Sequence, residues 1–286
     1  MKKLISHISH LTNKEFHNIQ SVSGGSISSA FVLKTDDGAY FLKVNSQPDA
    51  YEMFVAEKTG LKTIEDTKTI AVPKVHLVNR YEGKSFLLMD YVESKHADPK
   101  DLKLLGSQLT HLHLNTADEF GFTSNNFIGS LPQSNNQHAS WPDFYWHERI
   151  LPQLKLAEQK NLLNSKEIIA EQVALKVFEK LLDNDVKPSL VHGDLWGGNY
   201  LIAVDGTPYL IDPAVYYGHS MVDIAMSKLF GGFGNDFYSA YHDIIPKTDY
   251  YNAQIDLYQL YFLLVHLNLF GRSYYGSVAS IMKRYF

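Results

Sequence analysis

The feature that most limits how this chain can fold is a change of hydrophobic period near residue 92. Before it, apolar residues recur largely in twos, the spacing of strands; after it they recur in threes and fours, the spacing of helices. Phe16 to Val22 leads into Gly24-Gly25, Ser29 to Lys34 alternates up to Asp36-Asp37-Gly38, and Tyr40 to Val44 returns, which predicts strands joined by a hairpin turn. Pro48-Asp49 opens a helical pattern to about Ile64, with Phe54, Leu61 and Ile64 on one face. Val75 to Val78 and Ser85 to Val92 read as two more strands across Glu82-Gly83. The first 90 residues are therefore expected to be antiparallel strands with one helix.

Beyond this point Asp98-Pro99 pairs a capping residue with proline at the first helical position, predicting a helix to about Leu114. A polar, Asn-rich loop is expected over 115–140, followed by helices near 141–158 and 165–183. Strands return over Ser189 to His192, Tyr200 to Val204 and Tyr209 to Ile211, and helices fill most of 219–286. The pattern predicts an α+β fold in two lobes: a small β-rich lobe over 1–92, a hinge at about 89–94, and a larger helical lobe over 93–286. Ligands favour the cleft between such lobes.

Composition narrows the function. With 26 Lys and Arg against 31 Asp and Glu the formal charge is −5, which argues against nucleic acid as the main partner. There is no cysteine, which excludes disulfides, thiol nucleophiles and Cys-based metal sites. The most apolar stretch, Leu257 to Phe270, is short and carries Gln259, His266 and Asn268, so a buried helix is expected and not a membrane span. Ser6, His7, Ser9 and His10 interrupt any signal-peptide pattern, and the cytoplasm is the expected compartment. Neither His-Glu-x-x-His nor Gly-x-Ser-x-Gly occurs. His111 and His113 fall on different helix faces and are expected to be packing residues, as are the aromatic runs Trp141 to Trp146 and Tyr250-Tyr251.

The densest chemical signal is Val191-His192-Gly193-Asp194-Leu195-Trp196-Gly197-Gly198-Asn199, with Asp212 following at the end of Leu210-Ile211. Two carboxylates and a carboxamide at strand ends joined by a hairpin can converge on one point. Phosphoryl transfer needs that set: an Asp to orient and accept the proton of a hydroxyl, and an Asn with a second Asp to hold Mg²⁺. Taken singly, each of the three is better read as an ordinary turn cap; the combination is what points to phosphoryl transfer. Ser23-Gly24-Gly25-Ser26 lies between strands ahead of Lys43, where glycines allow close approach to phosphates, although Gly-Gly also serves as a plain turn. Glu57 sits on the apolar face of its helix, where a carboxylate is costly unless paired, and Lys43 is the available cation; a glutamate reaching out to water is the alternative. Leu87 to Val92 leaves the first lobe and can offer backbone groups to an adenine edge, or be an ordinary strand.

Taken together, Gly24-Gly25, Lys43, Glu57, His192-Gly193-Asp194, Asn199 and Asp212 resemble the kinase-like fold of aminoglycoside phosphotransferases and choline kinases. Within it the chain is most similar to the fructosamine kinase (ketosamine-3-kinase) family. The carrying stretches include Phe120-Gly121-Phe122, Asn126-Phe127-Ile128-Gly129, Pro132-Gln133-Ser134-Asn135, Leu195-Trp196-Gly197-Gly198-Asn199, Asp212-Pro213-Ala214-Val215-Tyr216-Tyr217-Gly218-His219, Leu229 to Phe233 and His266 to Gly271. The resemblance implies Asp194 as catalytic base, Asn199 and Asp212 as Mg²⁺ ligands, and Lys43 paired with Glu57 on the ATP phosphates. It further implies Gly24, Gly25 and Ser26 around the phosphates, Met89, Asp90 and Tyr91 at adenine, and Asp223 as a buttress of the catalytic loop. Trp196, Tyr217 and His219 would form an aromatic, hydroxyl-rich acceptor wall.

The expected activity is transfer of the ATP γ-phosphoryl to the 3-hydroxyl of a ketosamine, free or on a glycated protein, whose product then releases the amine. Trp196 stands where protein kinases usually carry a lysine, and Pro213-Ala214 leaves little room for an activation segment, both of which disfavour a protein kinase. Rivals are an aminoglycoside or choline kinase, and a nucleotide-binding pseudokinase scaffold, which the complete set of polar groups disfavours.

Overall fold

A computed structural model describes residues 1–22, 28–182 and 186–286. The glycine-loop positions Gly24, Gly25 and Ser26 lie outside the described residues.

The chain opens with a helix that the sequence reading missed. Leu4, Ile5 and Ile8 form one face of α1 (Lys2–Thr12), and Ser6, His7, Ser9 and His10 belong to the rest of its surface. The same polar residues that break a signal peptide are thus the outer side of an amphipathic helix. Its apolar face packs with Leu33, Leu42, Val44, Phe86 and Leu88 of the sheet. Three buried aliphatic side chains are worth about 5–9 kcal/mol before the entropy of ordering the helix is subtracted.

Strands β1 (Asn18–Val22), β2 (Ser29–Thr35), β3 (Gly38–Asn45), β4 (Val75–Tyr81) and β5 (Lys84–Asp90) build an antiparallel sheet in the order β1-β2-β3-β5-β4. The predicted turn at Glu82-Gly83 joins β4 to β5 with φ of 46° and 73°, two successive left-handed residues that match the twist of a hairpin. In the register of the central strand, Lys43 lies between Ala30 and Leu87. Helix α2 (Ala50–Thr67) runs between two cores. Phe54 packs with Leu87 and Met89 of the sheet, whereas Ile64 belongs to the helical core of the C-terminal part. At Gly60 an added Cβ would come within 2.9 Å of the Pro213 ring.

Past the sheet, β6 (Ser94–Lys95) pairs with Ile202 and Ala203, so the chain has joined the C-terminal part by residue 94. Helix α3 (Pro99–His113) begins with a reciprocal cap: the Asp98 carboxylate accepts the N–H groups of Lys100 and Asp101, and Asp101 accepts that of Asp98. The expected irregular loop contains a small hairpin, β7 (Asn126–Ile128) and β8 (Leu131–Gln133), each strand too short to show a period in the sequence. Helix α4 (Trp141–Phe144) continues through a π-helical stretch, Tyr145–Ile150, into α5 (Leu151–Gln159). The helix expected from 165 starts later, as α6 (Glu171–Leu181), because Ile168 is extended at φ −73°, ψ 122°.

Strands β9 (Ser189–Val191), β10 (Tyr200–Ala203), β11 (Pro208–Leu210) and β12 (Tyr216–Gly218) follow, with β9 paired to β12 and β10 set between β11 and β6. Helices α7 (Met221–Leu229), α8 (Asn235–His242), α9 (Tyr251–Phe270) and α10 (Tyr275–Tyr285) complete the fold. Helix α9 is the centre of the larger core, with every residue from Leu260 to Val265 buried. Among the described residues no helix is long and apolar enough to cross a membrane.

Candidate active site

Strand β9 ends at Val191, and the backbone turns sharply at Gly193. There φ is +84°, and an added Cβ would stand 2.2 Å from the Ala214 carbonyl oxygen, so both conformation and space require glycine. The turn is held from below by Asp223 in the first turn of α7. Its carboxylate accepts the N–H groups of His192 at 2.7 Å and Gly193 at 2.9 Å, and Nε2 of His113 lies 3.0 Å away. Burial opposes the Asp223 charge, yet the hydrogen bond and charge of His113, with His192 and the Gly193 N–H, hold its carboxyl below the usual range. His113 is therefore no simple packing residue: fully buried, it joins Asp223 to the Tyr241 hydroxyl at 2.7 Å. His111, two residues earlier, is exposed and bonds its own helix. The signal for His113 was its place on the face of Leu105, Leu109 and Leu112, where an imidazole must find partners.

His192 ties the two chemical segments together. Its Nε2 donates to the Ile211 carbonyl at 2.9 Å while Nδ1 accepts the Asp194 N–H at 3.3 Å, a pattern that needs the neutral ring. Burial lowers its pKa and keeps it so. The Ile211 N–H bonds the Asn199 carbonyl at 3.0 Å and the Ala214 N–H bonds the His192 carbonyl at 2.9 Å. Asp212 is thus bracketed on both sides by the loop that carries Asp194 and Asn199. Nδ2 of Asn199 donates to Asp194 Oδ2 at 3.1 Å and to the Asp194 carbonyl at 2.8 Å. Burial pushes the Asp194 carboxyl up to about 7; the Asn199 bond opposes this and the charge of Asp223 adds to it. Such a group exchanges a proton near neutrality, as a general base must.

From the sheet, Nζ of Lys43 meets Glu57 Oε1 at 2.7 Å and also reaches Asp212 Oδ1. The Lys43 and Glu57 side chains are 14% and 13% exposed, so Glu57 is a paired carboxylate and not one reaching out to water. Asp212 itself has φ of 53°, a left-handed conformation that Asp tolerates at a cost of order 1 kcal/mol and that collects at functional sites. Asp212 offers a carboxylate. Asn199 turns its amide nitrogen to Asp194, which directs its carbonyl oxygen away from that carboxylate. Both are hard oxygen donors, and among the described residues no group of three or more His, Cys, Asp or Glu could hold a metal. One or two protein oxygens completed by phosphates and water is the usual binding mode of Mg²⁺, so these residues fit that ion.

At the end of β5, where the hinge is expected, Met89 is buried and the Asp90 carboxylate meets Nε2 of His76 at 2.6 Å. The N–H groups of Asp90 and Tyr91 are engaged with the carbonyls of Lys74 at 3.0 Å and Ala39 at 3.3 Å. These two N–H groups of the expected adenine stretch are therefore already paired within the sheet. Of the expected acceptor wall, Trp196 is 41% exposed and its indole lies over Gly198, where an added Cβ would stand 2.4 Å from the ring. Tyr217 is half-buried, with its ring 6.2 Å from that of Phe122 and its backbone bonded to Gly121. Nδ1 of His219 meets the Tyr258 hydroxyl, which also accepts Trp141 Nε1 at 2.9 Å, and burial drives the His219 pKa to about 3, leaving a neutral ring. Among the described residues these three are joined to the set of Asp194, Asn199, Asp212, Lys43 and Glu57 by one backbone bond, from the Asn199 N–H to the Trp196 carbonyl at 2.9 Å; no side-chain hydrogen bond connects them.

The whole chain, residues 1–286, matches the family model described as Fructosamine kinase. The chain belongs to the fructosamine kinase family. It is 37% identical over 287 residues to ketosamine-3-kinase of Mus musculus, covering 91% of this chain and 92% of that one. A crystal structure from Haemophilus somnus, assigned as a fructosamine-3-kinase, superposes with a TM-score of 0.87 at 25% identity, over 98% of this chain and 95% of that one. Aminoglycoside phosphotransferase APH(4)-Ia shares the fold, with a TM-score of 0.62 at 16% identity over 98% of both chains. The kinase-like α+β architecture expected from the sequence is the one this family member adopts.

Proposed function

We propose that this fructosamine kinase phosphorylates the 3-hydroxyl of ketosamines with ATP as donor. The observation that carries the reading is the linkage of Asp194, Asn199 and Asp212 through His192, with Lys43 of the sheet bonded to both Glu57 and Asp212. Asp194 accepts the proton of the acceptor hydroxyl as its oxygen bonds to the γ-phosphorus; the bond to the β,γ-bridging oxygen breaks and ADP departs. Lys43, fixed by Glu57, orients the phosphates, and Asn199 and Asp212 would hold Mg²⁺, which neutralises charge on them when bound. Residues 1–92 act as the nucleotide lobe and 93–286 as the acceptor lobe, with the hinge at 89–94 lying along adenine. Trp196, Tyr217 and His219 line the acceptor side, a surface suited to the apolar face and hydroxyls of a sugar. The cytoplasm, where ATP is supplied, is the setting of this activity, and a ketosamine, free or on a protein amine, is its partner. The phosphorylated product sheds its amine, so the outcome is deglycation.

ADP release with a panel of fructosyl- and ribulosyl-amines, aminoglycosides and choline tests the reading. Ketosamine turnover, with free amine and inorganic phosphate appearing after a lag, is expected. Efficient turnover of kanamycin or choline with none of any ketosamine would overturn it.

A further inference from the structure

Hairpin β7–β8 spans two of the stretches that carry the family resemblance, and none of the chemistry above uses it. Its register sets Asn126 opposite Gln133, and the two residues are 7% and 2% exposed. Donor and acceptor rules fix both amides. A backbone carbonyl only accepts, so Nδ2 of Asn126 faces Val215 O, at 2.8 Å. That turns Asn126 Oδ1 to Nε2 of Gln133, at 2.7 Å, and the same nitrogen lies 3.4 Å from Ala214 O. Gln133 Oε1 is left to accept the hydroxyl of Tyr261, from the middle of α9. Donation runs in one direction, from Tyr261 through Gln133 and Asn126 to the backbone. Beyond the hairpin, the buried guanidinium of Arg149 donates to Ser134 O at 2.6 Å and Asn135 Oδ1 at 2.7 Å, anchoring its exit to the π-helical stretch.

The target of this chain is two and three residues past Asp212. The catalytic loop grips segment 211–214 through the N–H groups of Ile211 and Ala214, and the hairpin grips the carbonyls of Ala214 and Val215. A left-handed Asp persists only when its surroundings over-determine it. We propose that Asn126, Gln133 and Tyr261 are positioning residues that hold Asp212 in the conformation that ligates the divalent cation of the nucleotide complex. This rests on Asp212 being a metal ligand, as argued above.

The test is nucleotide binding to the full chain, without acceptor, in Mg²⁺ and in EDTA, with thermal unfolding followed in parallel. The readout is the ratio of the two dissociation constants. Asp212→Ala should collapse the ratio towards one; if it keeps the wild-type ratio, the metal reading itself fails. Asn126→Ala is expected to reduce the ratio by about tenfold with affinity in EDTA unchanged, the scale of one lost buried hydrogen bond. Tyr261→Phe, which removes one hydroxyl, should reduce it by about threefold on the same scale. If Asp212→Ala collapses the ratio while Asn126→Ala only lowers Tm, the hairpin merely packs and the proposal is wrong. Should Asn126→Ala not fold, an unchanged ratio in Tyr261→Phe overturns it equally.

Discussion

Replacing Asp223 by Asn tests whether one buried carboxylate sets the geometry of the catalytic loop. The native side chain is fully buried and its two oxygens accept the N–H groups of His192 and Gly193, with His113 at one of them. Asparagine keeps the shape but has one oxygen, so one backbone N–H faces an NH₂ group and loses its acceptor. Leaving a buried donor unpaired costs about 1–3 kcal/mol, and turning the remaining bond from charged to neutral costs about 1 kcal/mol more. The variant should therefore lose about 2–4 kcal/mol, a large share of the 5–15 kcal/mol typical of a folded domain. Urea unfolding followed by tryptophan fluorescence measures it, since Trp141 and Trp146 are buried in the larger core. The sign with pH follows from the lowered carboxyl pKa: the contribution is present above the unfolded value of 3.8 and is lost as pH falls through the folded one. The gap between wild type and Asp223→Asn should accordingly narrow in acid. A gap below about 0.5 kcal/mol at pH 7, within the range of ordinary surface substitutions, would refute the buttress.

The remaining expectations concern the chemistry. Asp194→Ala should lower kcat by roughly 10²–10⁴-fold while ATP binding persists, and near wild-type turnover with saturating acceptor would exclude Asp194 as base. With its carboxyl at about 7, kcat/KM for the acceptor should rise with pH through that region and level off above it. A raised carboxyl favours the folded state below the unfolded pKa and loses that contribution as pH rises through 7, so Asp194→Asn should gain stability relative to wild type in alkali; a constant difference from pH 4 to 9 contradicts the shift. Lys43→Met, Glu57→Gln and the double variant should be similarly impaired, whereas strictly additive losses would mean the pair is not coupled. Gly198→Ala should displace the indole of Trp196, changing its fluorescence and raising KM for the ketosamine more than for ATP; equal changes in both would place Trp196 outside the acceptor site.

Much of this was legible in the sequence because it is written in local patterns. The period-2 runs, the turn at Glu82-Gly83 and the Asp98-Pro99 start of α3 each carry their own geometry, and the lone carboxylate on the apolar face of α2 announced its partner in β3. Helix α1 was missed because the same polar residues serve two readings, and hairpin β7–β8 because three-residue strands have no period. His113 was misread for another reason. Its place on the apolar face of α3 shows that the imidazole needs a partner, but that partner, Asp223, is 110 residues away and no local pattern names it.

Helix α2 carries Glu57 to Lys43, but it is also riveted to the other half of the molecule. Ile64 is buried in the larger core, Gly60 leaves room for Pro213 beside Asp212, and just past the helix Ala71 bonds the N–H of Leu210 at 2.9 Å. In kinases that are switched on and off, the corresponding helix swings, and the swing makes or breaks the lysine–glutamate pair. Here such a movement would tear an aliphatic side chain out of one core while dragging the neighbour of Asp212 with it. The Lys43–Glu57 pair is thus fastened from both halves of the molecule, a contact made by packing rather than by a movable lever.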